Sequence, residues 1–135
     1  MSEPRYRRTS GAVSNIHYHF VWCPKYRRPV LIDDVAERLH QLLYEKAGAL
    51  RVVIEALEIQ PDYVHLFCAA PPTDAPQHYA NQFKGYPSRI LRQEFPALRA
   101  KLPSLWSRSY YVGTAGHVSA EVIQRYIAHQ PRRPR

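Results

Sequence analysis

Acidic residues are scarce: 11 Asp and Glu stand against 19 Lys and Arg, a formal net charge of +8. That imbalance points to a polyanionic partner, nucleic acid first, or to a merely basic solvated surface. Cysteine is nearly absent. Cys23 and Cys68 lack metal-ligand spacing, which argues against a cysteine metal site, and reduced buried thiols are expected ahead of a disulfide. No apolar run approaches the ~20 residues of a membrane helix. The charged stretch from Met1 to Arg8 has no apolar core of a secretory signal. No membrane contact and a cytoplasmic location are therefore expected. Internal repeats are missing, which removes repeat architectures. The hydrophobic fraction of 45% against 22% charged residues argues against disorder, and 135 residues fit one domain with a real core. That domain is expected to span 1–135, with 1–12 and 131–135 as flexible tails.

What is present in quantity is basic residues next to tyrosines. They cluster in Arg5-Tyr6-Arg7-Arg8, in Lys25-Tyr26-Arg27-Arg28, along 84–92 with Lys84, Arg89 and Arg92, and in Arg132-Arg133-Pro134-Arg135. Basic side chains neutralise phosphates, and aromatic faces stack on unpaired bases.

Periodicity supplies the elements. Residues 13–22 alternate, with Ile16, Tyr18, Phe20 and Trp22 on one face and His17, His19 and Val21 on the other, which predicts a strand. Asp33 or Asp34 is placed to cap a helix whose stripe is Val35, Leu39, Leu42, Leu43 and Leu50. Residues 51–59 and 63–69 read as a hairpin turning at Pro61-Asp62. Tyr79, Phe83, Ile90 and Leu91 mark a second helix to about Phe95. Pro87 inside it predicts a kink or break near Gly85-Tyr86. Residues 105–112 read as a fourth strand, Gly113 and Gly116 as a flexible joint, and Ser119 as the cap of a last helix ended by Pro131. The order β-α-β-β-α-β-α predicts an α+β, ferredoxin-like (RRM-like) fold. Two helices cover one face of a four-stranded antiparallel sheet, and a C-terminal helix is added.

Two segments carry the chemistry. In Pro61-Asp62-Tyr63-Val64-His65-Leu66-Phe67 the odd positions share one strand face. Tyr126 and Gln130 share one helix face. A tyrosine beside a metal site suits phosphodiester cleavage, because the cation polarises the phosphate and the tyrosine stores the cut end covalently.

These residues, together with Tyr18-His19-Phe20-Val21-Trp22-Cys23-Pro24-Lys25-Tyr26-Arg27-Arg28, Phe83-Lys84-Gly85, Leu105-Trp106-Ser107 and Tyr110-Tyr111-Val112-Gly113, resemble the HUH-type single-tyrosine transposases of the insertion-sequence-200 type. The resemblance covers nearly the whole chain. It implies cleavage and rejoining of single-stranded DNA at hairpin-bearing element ends, through a 5′-phosphotyrosine and with magnesium or manganese. It places the nucleophile at Tyr126 and the metal ligands at His65, Gln130 and the position of Tyr63. Lys25, Arg27, Arg28, Lys84, Arg89 and Arg92 are the DNA-facing candidates. A homodimer is implied, in which the tyrosine helix of one subunit can complete the other's site.

Two positions depart from the family pattern. Its His, apolar residue, His signature reads Tyr63-Val64-His65 here, and a protonated phenol is a poor substitute for imidazole. His17 or His19 on the neighbouring strand could take its place. Pro87 stands where the family has a small hydroxyl residue. The alternative function is a catalytically impaired or repurposed binder of single-stranded or hairpin DNA. A ferredoxin-like fold binding a small molecule or RNA is a third reading.

Overall fold

The computed structural model describes residues 7–9, 12–114 and 120–132. Strands β1 (Arg7–Thr9) and β2 (Ala12–Ser14) pair antiparallel, so part of the expected N-terminal tail has a regular ladder. Strand β3 (Ile16–Trp22) follows, then a 3-10 turn at Lys25–Arg27 and helix α1 (Asp33–Leu50). Next come β4 (Val53–Gln60), β5 (Tyr63–Ala70), α2 (Pro76–Glu94), α3 (Pro96–Lys101), β6 (Tyr111–Gly113) and α4 (Ala120–Ala128). The main sheet has the order β4-β5-β3-β6, and all its pairs are antiparallel. The first and third strands of the ferredoxin-like core thus lie in the centre, as the element order predicts.

Strand alternation decides which side chains meet. Tyr18, Phe20 and Trp22 of β3 and Val64, Leu66 and Cys68 of β5 enter the core with Leu39, Leu42, Leu43, Tyr79 and Phe83 of the helices. Each fully buried large side chain contributes roughly 1.5–3 kcal/mol. The opposite face carries Val21 and Cys23, which are covered by Ile123 and Ile127 of α4 together with Tyr63, Tyr111 and Tyr126. Both cysteines are buried and free. No described helix is long and apolar enough to cross a membrane.

Four expectations change. The residue capping α1 is Ile32, not Asp33 or Asp34, because Ile32 holds the extended backbone (φ −133°, ψ 158°) that a cap position needs. Asp33 and Asp34 sit in the first turn, where their negative charge interacts favourably with the positive end of the helix dipole. Pro87 does not break α2: it is a buried residue of one continuous helix, anchored to the core on both sides by Phe83 and Leu91. The fourth strand is only Tyr111–Gly113. In the segment before it, Trp106 makes one isolated bridge to Pro24, and the carbonyls of Ser107, Arg108 and Ser109 accept from Lys84 rather than from a strand. Helix α3 had no periodic signal, being a single turn and a half opened by Pro96. Gly116, the Ser119 cap and 133–135 of the expected C-terminal tail lie outside the described residues.

Candidate active site

Tyr126 projects from α4 and Gln130 lies just beyond its end, in the turn that follows Ala128. The two meet through serines. The Tyr126 hydroxyl is 2.9 Å from Ser109 Oγ, and Ser109 and Ser107 each donate to Gln130 Oε1 at 3.1 Å. Ser109 has a single proton, so while it serves Gln130 the phenol donates to Ser109. Burial pushes the Tyr126 phenol up to about 12, against some lowering by the Ser109 hydroxyl. Neither Ser109 nor Gln130 can take up the phenol proton. The chain of hydrogen bonds orients Tyr126 without ionising it.

Lys84 holds this arrangement from α2. Its ammonium donates to the carbonyls of Ser107 (2.9 Å), Arg108 (3.2 Å) and Ser109 (3.2 Å), while the Trp106 indole donates back to Lys84 O at 2.7 Å. A cavity of about 290 Å³ opens beside the serines, lined by Lys25, Tyr26, Arg108 and Pro131 as well as Ser107, Ser109 and Gln130. Tyr26 and Arg27 both hold left-handed backbone (φ 59° and 53°), which costs non-glycine residues energy and fixes the turn at the cavity wall. Arg27 donates to Asp62 Oδ2 at 3.0 Å and to Ile127 O at 3.3 Å, tying the β4–β5 turn to α4.

His65 lies on the same sheet face, opposite Val21 and Glu58 in the ladders. Its partner is His19: His19 Nδ1 and His65 Nε2 are 3.0 Å apart. Burial first, and then His19, lowers the His65 pKa, so its imidazole is neutral at pH 7. Tyr63 is half-buried, between Glu58 of β4 and Gln124 of α4. Burial first, and then the Glu58 charge, raises its pKa and keeps the phenol protonated. The structure therefore brings Tyr126 and Gln130 together, and separately His65 and His19. His65 and Gln130 each have other partners. Among the described residues no group of three or more His, Cys, Asp or Glu converges as a metal site.

The basic candidates divide. Arg28 and Arg89 are exposed, the latter 5.9 Å from the Tyr86 ring centre, and Lys25 lies over Tyr26. Lys84 and Arg92 are engaged with backbone carbonyls, Arg92 with those of Leu102 and Pro103. Sequence reasoning missed Ser107 and Ser109 as site residues. Their i, i+2 spacing was the available signal, since it puts both hydroxyls on one side of an extended chain.

Comparison with known proteins agrees with this architecture. The family described as "Transposase IS200 like" matches residues 12–130. The chain is 34% identical over 122 residues to the ISDra2 transposase TnpA of Deinococcus radiodurans, covering 89% of this chain and 87% of that one. It is 32% identical over 118 residues to the transposase of insertion sequence element IS200 from Salmonella typhimurium, covering 86% and 77%. A crystal structure of a protein described as a transposase of Deinococcus radiodurans R1 superposes with a TM-score of 0.84 at 36% identity, over 92% of this chain and 97% of that one. A REP-associated tyrosine transposase bound to a REP hairpin shares the fold, with a TM-score of 0.57 at 16% identity, over 94% and 68%. With the profile spanning nearly the whole sequence and the topology in agreement, the chain belongs to the IS200-like transposase family.

Proposed function

We propose that this chain cleaves and rejoins single-stranded DNA at hairpin-bearing ends of its insertion sequence, with Tyr126 as the nucleophile. The observation that carries the reading is the Tyr126–Ser109–Gln130 cluster at the edge of a cavity with basic and aromatic walls. The Tyr126 oxygen attacks the scissile phosphorus as its phenol proton is lost to solvent, and a phosphotyrosine bond forms at the 5′ side. The bond to the 3′ oxygen breaks, and that oxygen leaves as a hydroxyl after taking a proton. Attack by another 3′ hydroxyl reverses the step and needs no external energy source.

The family resemblance implies magnesium or manganese as the cation. His65, as a neutral imidazole, and Gln130, through its amide oxygen, fit as its ligands; Tyr63, as a protonated phenol, does not. When bound, the cation would polarise the phosphate. Within one chain His65 faces His19 and Gln130 faces the serines, which favours a homodimer in which α4 of one subunit completes the other's site. The hairpin ligand of the REP-associated protein supports a hairpin substrate.

A nicking assay on hairpin-bearing single strands with manganese tests this reading. A denaturation-resistant protein–DNA adduct is expected, with loss of the adduct to background in Tyr126→Phe. An adduct that survives Tyr126→Phe removes the assignment. The second reading, an impaired hairpin binder, is favoured by the protonated Tyr63. It predicts binding with cleavage near background in the native chain, and a rise of at least ~10-fold in Tyr63→His, since even an outer partner of a metal ligand is worth about 10–100-fold.

A further inference from the structure

The pair formed by His19 and His65 has a geometry that the reading above does not use. His19 stands on β3 and His65 on β5, one register step apart on the face toward α4, since His19 pairs with Phe67 and His65 with Val21. Aromatic stacking fixes both rings. The His19 ring lies 4.2 Å from the Phe67 ring centre at an interplanar angle of 19°, and 5.2 Å from that of His65 at 28°. His19 is 5% exposed, so its ring has little room to turn away. The two nitrogens that face each other are 3.0 Å apart.

We infer that His19 is a metal ligand of this chain, acting with His65 as a two-imidazole site in place of the ligand absent at Tyr63. It follows that the site prefers a nitrogen-seeking divalent ion such as zinc, cobalt or nickel to magnesium. Two nitrogens each ~2.1 Å from one cation lie about 3.0 Å apart at a right angle and about 3.4 Å apart at the tetrahedral angle. The observed spacing falls at the lower end of that range, so a cation needs only a few tenths of an ångström of ring movement. The hydrogen bond now joining the rings is exchanged without net loss of a proton. The ring that donates shifts its proton to its far nitrogen, and both lone pairs then face the ion. Two protein nitrogens leave coordination positions open for water or a phosphate oxygen, as a catalytic rather than a structural site does. Imidazole donors favour zinc, nickel and copper, whereas magnesium keeps oxygen ligands and its waters.

This inference rests on the proposed metal role of His65, but its test needs no DNA, so it stands or falls apart from cleavage. The full chain is titrated with cobalt and with zinc by calorimetry, and the visible absorption of cobalt is followed. One ion per chain is expected, with affinity at least ~10-fold higher than for manganese or magnesium. His65→Ala and His19→Phe, the latter chosen to keep a ring stacked on Phe67, should each weaken cobalt binding at least ~10-fold and change its spectrum. Unchanged affinity in His19→Phe overturns the proposal, and so does binding that depends instead on His17 and Glu55, which lie 3.3 Å apart. If His19→Phe does not fold, the wild-type chain decides: cobalt must broaden the imidazole resonances of both His19 and His65. A His19 signal that stays sharp overturns the assignment.

Discussion

At the scale of single residues, burial sets the ionisation of the site. Cys23 lies under α4 with no solvent exposure. Burial first, and then the Asp62 charge, raises its thiol from an ordinary 9.0 to about 12, against lowering by Arg27 and Lys84. The folded chain therefore keeps a proton that the unfolded chain releases above pH 9. Where the folded state binds more protons, stability falls as pH rises. The contribution of Cys23 is complete below pH 9 and is lost between about 9 and 12, at up to ~1.4 kcal/mol per pH unit. Urea unfolding at pH 8, 9, 10 and 11 should show this decline, and Cys23→Ala should flatten it. Equal slopes for the two proteins would mean that Cys23 ionises equally in both states. Tyr126 obeys the same physics: a phenol pushed up by burial is oriented but not activated by its partner Ser109.

At the scale of elements, α2 shows two effects in opposition. Pro87 removes one backbone hydrogen bond within the helix, a cost of about 3 kcal/mol relative to alanine. Its ring is also buried, which returns part of that cost. The backbone term is the larger, so Pro87→Ala should stabilise the protein by about 1 kcal/mol and raise its melting temperature, provided the small void left by the ring closes. A lower melting temperature would show that packing of the ring outweighs the missing bond. Earlier in the same helix, Lys84 gives its ammonium to three successive carbonyls of the segment before β6. That grip turns a predicted strand into the loop that presents Ser107 and Ser109.

At the scale of the whole molecule, the net charge of +8 is divided between structure and surface. Arg92 and Lys84 bind carbonyls of the chain itself, whereas Arg28 and Arg89 point outward. For single strands the logarithm of affinity falls with the logarithm of salt concentration by about 0.7 per neutralised phosphate. Hairpin binding measured across salt should therefore be steep. Arg28→Gln should reduce the slope by about 0.7 to 0.9, according to whether its phosphate lies in a single strand or in the hairpin stem, with folding unchanged, while Arg92→Gln should lower stability instead. A slope that Arg28→Gln leaves unchanged would place the DNA path elsewhere on the surface.

Local pattern by itself determined the strand alternation, the helical stripes and the two-residue turn at Pro61-Asp62, because each depends on neighbours a few positions apart. From these the order of the ferredoxin-like core followed, as did the sharing of one face by Tyr63 and His65. The ordered residue types also made the family legible. Only the tertiary structure decided what required distant segments to meet. The Lys84 clamp, the Tyr126–Ser109–Gln130 cluster and the His19–His65 pair each join side chains from separate elements. The persistence of α2 through Pro87 belongs to the same class, since core packing outweighs local propensity there. A histidine read alone on a strand has no distinguishing mark, and His19 gained one when the sheet register placed its ring 3.0 Å from that of His65.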